Sequence, residues 1–316
     1  MADILFIKTS SLGDVIHHMP ALVEARRRLA DARFTWVVEE AFAPLVRLHP
    51  AVDAVVPVAS RRWRHALLRA ATWREVRAFG RLVRARAYDA VIDTQGLVRT
   101  AVIARLARGS RHGYDPASIR EPLAARFYDV RHHVSRDLHA IDRNRILTGL
   151  ALGYASEDAV DFGLDRAALA QAAGAPQAIL LHATAQGIKQ WPEERWIALG
   201  RALAARGFAT QLPWGSEAER ARSERIAAGV PGARVLDRRP LDELARRIAA
   251  AKVVIGVDTG LLHLAAALGV PLVGIFVGSE PGLTGPKGRG PIAIVGGKGA
   301  LPEASEVLDA LDRLAQ

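Results

Sequence analysis

The stretch Lys252–Phe276 constrains the fold more than any other in this chain. Val253-Val254-Ile255-Gly256-Val257 is a short, β-branched apolar run, the pattern of a strand buried on both faces, and it stops abruptly at Asp258-Thr259-Gly260. Asp258 reads as the N-cap of a helix, Gly260 permits close approach of a ligand to backbone, and Leu262, Ala266 and Gly269 recur at helical spacing. Pro271 and a second buried run, Leu272–Phe276, follow. Such a strand, turn, helix, strand unit sets a helix N-terminus at the carboxyl end of a parallel strand, where open α/β sheets bind anionic groups. Thr259 and His263 lie four apart and share a side of that helix. Singly, Asp258 reads as a cap and His263 as a satisfied core residue. Together with Thr259 and Gly260 they favour a phosphate-bearing ligand.

At 316 residues the chain exceeds the size at which one core stops growing, so two domains of about 150 residues are expected. The first half alternates strand and helix: strands at Ile4–Lys8, Phe34–Val38, Ala54–Val58 and Ala90–Asp93, with helical runs at Ala21–Leu29, Ala66–Ala87 and Leu97–Ala107. The Ala-rich stretch Asp165–Gln177, closing in Gly174-Ala175-Pro176-Gln177, reads as the linker, dividing the chain into 1–170 and 171–316. A second series follows: Ile179–His182, helix Glu193–Arg206, strand Ala209–Pro213, helix Glu217–Ala228, strand Arg234–Leu236 and helix Leu241–Ala250, leading into the unit described first. Glu303–Ala315 closes the chain as an amphipathic helix that could pack back on the first domain. Alternation of this kind makes α/β domains with doubly wound parallel sheets.

The chemistry-bearing residues sit at strand ends. The first strand runs into Lys8-Thr9-Ser10-Ser11-Leu12-Gly13-Asp14, with helix resuming near Pro20; Asp14 follows a glycine, precedes His17-His18, and is a candidate general base. As a plain tight turn the same residues would carry no chemistry. Arg61-Arg62-Trp63-Arg64-His65 heads a long helix, and its guanidinium forks suit carboxylates and phosphates; the later arginines of that helix read as solvated surface. Asp93-Thr94-Gln95-Gly96 ends a strand, while Arg120-Glu121-Pro122 and Arg131-His132-His133 lie in irregular sequence. In the second half three strands end in polar or Gly-rich sequence: His182-Ala183-Thr184, Trp214-Gly215-Ser216 and Asp258-Thr259-Gly260. Lys189, just ahead of a helix beginning near Pro192, is a point charge suited to a diphosphate.

Some motifs are missing. There is no Gly-x-Gly-x-x-Gly after a strand and no Gly-x-x-x-x-Gly-Lys-Ser/Thr, which disfavours a nicotinamide enzyme and a P-loop nucleotidase. No Asp-x-Asp and no His cluster has metal spacing, so a diphosphate leaving group would be stabilised by helix ends and Lys. Zero cysteines exclude disulfides and thiol nucleophiles. No apolar stretch reaches the roughly 18 residues of a membrane span and the N-terminus lacks a signal-peptide layout, so a cytoplasmic location is expected. The formal charge of +10 invites a polyanion partner, nucleic acid or an acidic membrane, although only five of the 43 basic residues are Lys and much of the Arg reads as bland surface.

Lys8–Asp14, Trp36-Val-Val-Glu-Glu40, Arg61-Arg-Trp-Arg64, Tyr88–Asp93 with Gln95-Gly-Leu97, Arg120-Glu-Pro-Leu123, His182-Ala-Thr184, Lys189 with Trp191-Pro-Glu193, and Val257–Leu261 with His263-Leu264 appear in order along nearly the whole chain. This series resembles the lipopolysaccharide heptosyltransferases of the ADP-heptose glycosyltransferase family; the Arg-Arg-Trp-Arg and Trp-Val-Val-Glu-Glu stretches look like the first heptosyltransferase among them. The resemblance implies a GT-B fold, two Rossmann-like domains facing across a cleft. It implies inverting, metal-independent transfer of heptose from ADP-heptose, a substrate and not a cofactor, to Kdo2-lipid A in inner-core synthesis. The first domain would bind the acceptor and the second the ADP-heptose. Asp14 would then be the base, with Lys189, Thr184, Ala185 and the amides at Thr259 and Gly260 around the diphosphate. Asp258 would take heptose hydroxyls with His263 in support, and Glu219 would meet the nucleoside end. Lys8, Ser10, Gly13, Arg61, Arg62, Arg64 and Arg120 would meet the acceptor at the cytoplasmic face of an anionic inner membrane. Ala185 departs from the family's usual second Thr, and Gln186-Gly187-Ile188 from more acidic residues. The rivals are a second heptosyltransferase of the same family, or a basic polyanion- or membrane-binding protein without catalysis.

Overall fold

The structure is a computed structural model describing residues 1–157, 159–170, 176–184 and 186–314. It divides into two compact units, Met1–Gly163 and Leu164–Gln316. The first holds a six-stranded sheet of β1 (Asp3–Ile7), β2 (Arg33–Glu39), β3 (Ala54–Val58), β4 (Ala87–Asp93), β5 (Arg108–Tyr114) and β6 (Val130–His132), in the order β3-β2-β1-β4-β5-β6. The second holds β7 (Gln177–Leu181), β8 (Ala209–Leu212), β9 (Arg234–Val235), β10 (Val253–Val257), β11 (Leu272–Phe276) and β12 (Ile292–Gly296), in the order β12-β11-β10-β7-β8-β9. Every strand pair is parallel, so within each sheet all carboxyl ends lie along one edge. The strand order reverses between β1 and β4 and between β10 and β7. At such a switch point the connections leave in opposite directions and open a crevice.

The β-branched run Val253–Val257 is buried at every residue, as a strand covered by helices on both faces must be. The helix Gly260–Ala267 returns the chain and ends where Gly269, at φ +69°, sends Val270 N–H back to the Ala265 carbonyl. Trp191 and Trp196, edge to face at 4.9 Å, fill the second core, and the C-terminal helix Ala304–Leu314 lays Val307 and Ala310 into that same core. Arg166 binds the second unit's loops, its guanidinium donating to the carbonyls of Ala249, Ala251 and Gly269. The expected linker residues 171–175 lie outside the described residues.

Three expectations for the first unit are corrected. Helix does not resume near Pro20; it runs Leu12–Arg28, because Ser11 stands at the N-cap, Asp14 closes the first turn, and Pro20 is carried inside. The Arg61–Arg64 cluster does not head the long helix. It forms its own short helix, Ser60–Arg64, and a turn pinned by Thr72 Oγ1 to the Ala66 carbonyl and Trp73 Nε1 to the Leu67 carbonyl separates it from the helix Ala70–Arg84. Arg131 and His132, read as irregular, belong to β6, an edge strand templated by β5. The helix Ala140–Leu152, not expected, packs on Leu12–Arg28 through a buried Arg145–Glu24 ion pair and Asn144 Nδ2 donating to the His17 carbonyl at 3.0 Å.

Two buried histidines make the fold acid-sensitive. Burial holds His49 in the first unit and His182 in the second at pKa about 4, below the ordinary 6.5. Between those values the unfolded chain binds protons that the folded chain refuses, so stability present above pH 6.5 is lost as pH falls toward 4. Each histidine contributes about 2 kcal/mol of loss by pH 5. Melting temperature measured from pH 7.5 to 4.5 should fall steeply below 6.5, and His49→Gln should flatten the first unit's share; a level profile contradicts this.

Candidate active site

At the first switch point the polar residues after β1 and β4 hold one another. Asp93, fully buried, accepts from the Gln95 and Gly96 amides and, at 2.7 Å, from the Tyr128 hydroxyl. Burial pushes its carboxyl up and these donors oppose that rise. The turn so formed, with Gly96 at φ +69°, aims Gln95 Oε1 at the amides of Thr9 and Ser10, at 3.1 and 3.2 Å. Asp14 stands one turn into the following helix. Its Oδ2 accepts from the Ser11 amide at 2.8 Å and the Ser11 hydroxyl at 3.0 Å, so the carboxylate serves as the capping-box partner of that helix. It remains half-buried at the sheet's carboxyl edge.

The expected acceptor contacts separate under this geometry. Lys8 is 6 % exposed, with Nζ donating to the Thr94 carbonyl at 2.8 Å and Asn144 Oδ1 at 3.2 Å. Burial lowers its pKa against the opposing charges of Asp14 and Asp93. Lys8 is therefore a buried strut between β1, β4 and the helix Ala140–Leu152, not a surface cation. Ser10 is also buried, its Oγ accepting from Arg99 Nη2 at 2.7 Å. Gly13 lies beside Asp14 in the first helical turn. Arg61, Arg62 and Arg64 are exposed at the carboxyl end of β3, along the same edge. Arg62 is already committed to Glu40 and Glu75, each within 3.0 Å, whereas Arg61 lies over the Phe42 ring at 5.4 Å. Arg120 is exposed beyond β5.

At the second switch point β7 lies beside β10, and the ends of both strands meet. Thr184 Oγ1 donates to the Asp258 carbonyl at 3.1 Å. A single 3-10 turn, Gly187–Lys189, swings Lys189 Nζ to 2.6 Å from Asp258 Oδ2. Ser279 Oγ donates to the same oxygen at 2.7 Å, and His263 Nε2 stands 3.9 Å from Oδ1. Burial pushes the Asp258 carboxyl up, but hydrogen bonds from His263, Lys189 and Ser279 outweigh it and hold the group well below the usual carboxylate range. Asp258 is thus not the N-cap expected; Thr259 takes that position, because the Asp258 side chain turns to Lys189 instead. The amides of Gly260 and Leu261 precede any carbonyl their own helix can return, whereas Leu262 N–H already donates to the Thr259 carbonyl at 3.0 Å. Glu219 spends Oε2 on the amides of Gly215 and Ser216 as a capping-box residue of the helix Glu217–Ala228. Ala185 lies outside the described residues.

Sequence reasoning missed Gln95 as the clamp on Thr9 and Ser10, Asn144 as the partner of Lys8, and Ser279 as the third ligand of Asp258. Ser279 had a signal, since Gly278-Ser279-Glu280 is another polar end to a buried strand. Asn144 had none, because only helix packing brings it to Lys8.

Two doubly wound units, each with polar strand ends gathered at its switch point, have the architecture of GT-B glycosyltransferases. The chain belongs to glycosyltransferase family 9, the heptosyltransferases, whose model matches residues 76–310. It is 44% identical over 294 residues to lipopolysaccharide heptosyltransferase 1 of Salmonella typhimurium, covering 92% of this chain and 93% of that one. It is 46% identical to the protein of the same description from Pseudomonas aeruginosa, over 90% of this chain and 81% of that one. Among solved structures, E. coli heptosyltransferase WaaC with ADP superposes with a TM-score of 0.93 at 40% identity, over 99% of both chains. The architecture is GT-B, and the chain is a heptosyltransferase acting in lipopolysaccharide core synthesis. E. coli heptosyltransferase II, at 21% identity and TM-score 0.80 over 99% of this chain and 98% of that one, shares the fold.

Proposed function

We propose that the chain moves heptose from ADP-heptose onto a Kdo sugar of Kdo2-lipid A, with inversion and without a metal ion, at the cytoplasmic face of the inner membrane. The observation that carries this reading is the Lys189–Asp258 pair beside the helix beginning at Gly260, at the switch point of the second sheet. An ammonium has three donors; Asp258 takes one, and two remain for diphosphate oxygens. The amides of Thr259 and Gly260 and the helix dipole add to that charge, while Asp258 and His263 accept and order heptose hydroxyls. Asp14, with Oδ2 engaged by Ser11, uses Oδ1 to take the proton of the acceptor hydroxyl. The acceptor's hydroxyl oxygen, giving up that proton, forms a bond to the anomeric carbon from the face opposite ADP as the bond from carbon to the β-phosphate oxygen breaks, and the electron pair leaves on ADP. One carboxylate and one stabilised leaving group complete an inverting displacement. No helix among the described residues is long and apolar enough to cross a membrane, so the reading calls for peripheral association.

Purified protein given ADP-heptose and Kdo2-lipid A should release ADP and yield a product of inverted anomeric configuration by NMR. Release of ADP only with an acceptor that already carries the first heptose would reassign the chain to the second transfer. No release with either acceptor rejects the reading.

A further inference from the structure

The segment Arg61–Arg86 holds nine arginines and one glutamate, a formal +8 against +10 for the whole chain. Nearly all the net charge is therefore gathered in one hairpin of helices beyond β3. On the helix Ala70–Arg84 the buried positions are Thr72, Phe79 and Val83, which face the core. At 100° per residue, Arg74, Arg77 and Arg81 fall on the opposite side, and all three are exposed. Arg64, Arg69, Arg74, Arg77 and Arg81 have no acidic side chain within 4.0 Å among the described residues; Glu75 is taken by Arg62 and Trp63. A row of uncompensated guanidinium groups repels itself and gains nothing from the fold.

At the tip of the hairpin, Leu67 is 53 % exposed, Leu68 is 102 % exposed and Trp73 is 49 % exposed. They are not loose. Trp73 Nε1 donates to the Leu67 carbonyl and Thr72 Oγ1 to the Ala66 carbonyl, both at 2.8 Å, so the leucines are held outward. Single exposed leucines are ordinary. Two in succession on a pinned turn, with an exposed Trp beside them and arginines at Arg64, Arg69 and Arg74, make an apolar tip inside a cationic collar, the arrangement of elements that lie in a membrane interface.

We propose that the turn Ala66–Arg69 and the outer face of the helix Ala70–Arg84 dock the protein on an anionic lipid bilayer, with Leu67 and Leu68 entering the interface, Trp73 at headgroup level and Arg74, Arg77 and Arg81 on lipid phosphates. Charge complementarity selects an anionic surface, and the leucines select lipid over nucleic acid, whose phosphate face offers them no apolar phase. The helix Ser60–Arg64, at the carboxyl end of β3, joins this element directly to the sheet edge that carries Asp14. Docking would bring that edge toward lipid headgroups. The docking element deepens the lipid-acceptor reading above and rests on it for its purpose.

The chain has no cysteine, so Leu68→Cys carries a single polarity-sensitive fluorophore on the full-length protein. With phosphatidylglycerol-containing vesicles its emission should shift blue and be quenched by nitroxide on the lipids, and with pure phosphatidylcholine it should not. The triple variant Arg74→Ala/Arg77→Ala/Arg81→Ala should lower vesicle partitioning about 100-fold, and Leu67→Ser/Leu68→Ser about tenfold. Both should transfer heptose to a deacylated, water-soluble acceptor at the unmodified rate. The proposal is overturned if the fluorophore stays in water on bound vesicles, if either variant partitions like the parent, or if RNA is bound more tightly than vesicles and the leucine change does not matter. Docking without ADP release from Kdo2-lipid A or its deacylated form would keep this element and remove the lipid-acceptor reading; transfer to the deacylated acceptor without vesicle binding would do the reverse.

Discussion

Asp14→Ala should lower kcat by about 10²- to 10⁴-fold, the range for loss of a positioned general base, while ADP-heptose affinity should stay close to the parent value. The structure adds a complication that decides how the result must be read. Asp14 also receives the Ser11 amide and hydroxyl at the start of the helix Leu12–Arg28, so its removal costs about 0.5–1 kcal/mol of helix stability as well. Asp14→Asn separates the two roles. Its amide oxygen still accepts from Ser11 and keeps the helix start, but it cannot take a proton at neutral pH. Turnover should fall in the Asn variant as far as in the Ala variant, with the melting temperature near the parent's. An Asn variant that turns over normally would leave Asp14 as a cap only.

Lys189→Ala should weaken ADP binding by about 2–3 kcal/mol, roughly 30- to 150-fold, and reduce kcat in addition. Two effects act in the same direction. The cation that would meet the diphosphate is lost, and Asp258, now without the donor at 2.6 Å, presents an uncompensated negative charge to the same ligand. The partial burial of the pair, with side chains 21 % and 16 % exposed, keeps water from screening that charge. Titration calorimetry with ADP on Lys189→Ala and on Lys189→Ala/Asp258→Asn tests both halves. The double variant should regain part of the lost affinity; no recovery refutes the repulsion, and an unaltered Kd in the single variant removes Lys189 from the diphosphate site.

The candidate residues were legible to different depths. Asp258, Thr259 and Gly260 could be picked out because they follow a β-branched run, Thr184 and Asp14 because they lie just past strand ends, where a parallel sheet exposes polar groups, and Lys189 because it stands just ahead of a helix in a chain with few lysines. Their bonding could not. Asp258 was read as a cap because Asp before a helix usually is one, and the lysine that claims it instead is remote in sequence. Lys8 was expected to meet the acceptor because the family resemblance implies it; its burial depends on Asn144, delivered by a helix whose sequence, with Asp142, Arg143, Asn144 and Arg145 in one turn, has little apolar period. The strand β5 and the edge strand β6 beside it were hidden for a related reason. RGSRHGY and VRH carry little β propensity of their own and extend because a neighbouring strand offers its hydrogen-bonding edge.

By itself the amino-acid order determined that this protein builds doubly wound parallel sheets and that polar residues cluster after their strands. Burial on both faces leaves continuous apolar runs, and a helix between parallel strands leaves its own period, and both are local signals. Only the tertiary structure decided which strand ends become neighbours. Lys189 and Asp258, 69 residues apart, meet because β7 lies against β10 and not at an edge. Thr9 and Ser10 meet Gln95 because β1 lies against β4. Strand order is set by how whole crossovers pack on a sheet, a sum over many weak long-range contacts that no window of sequence contains.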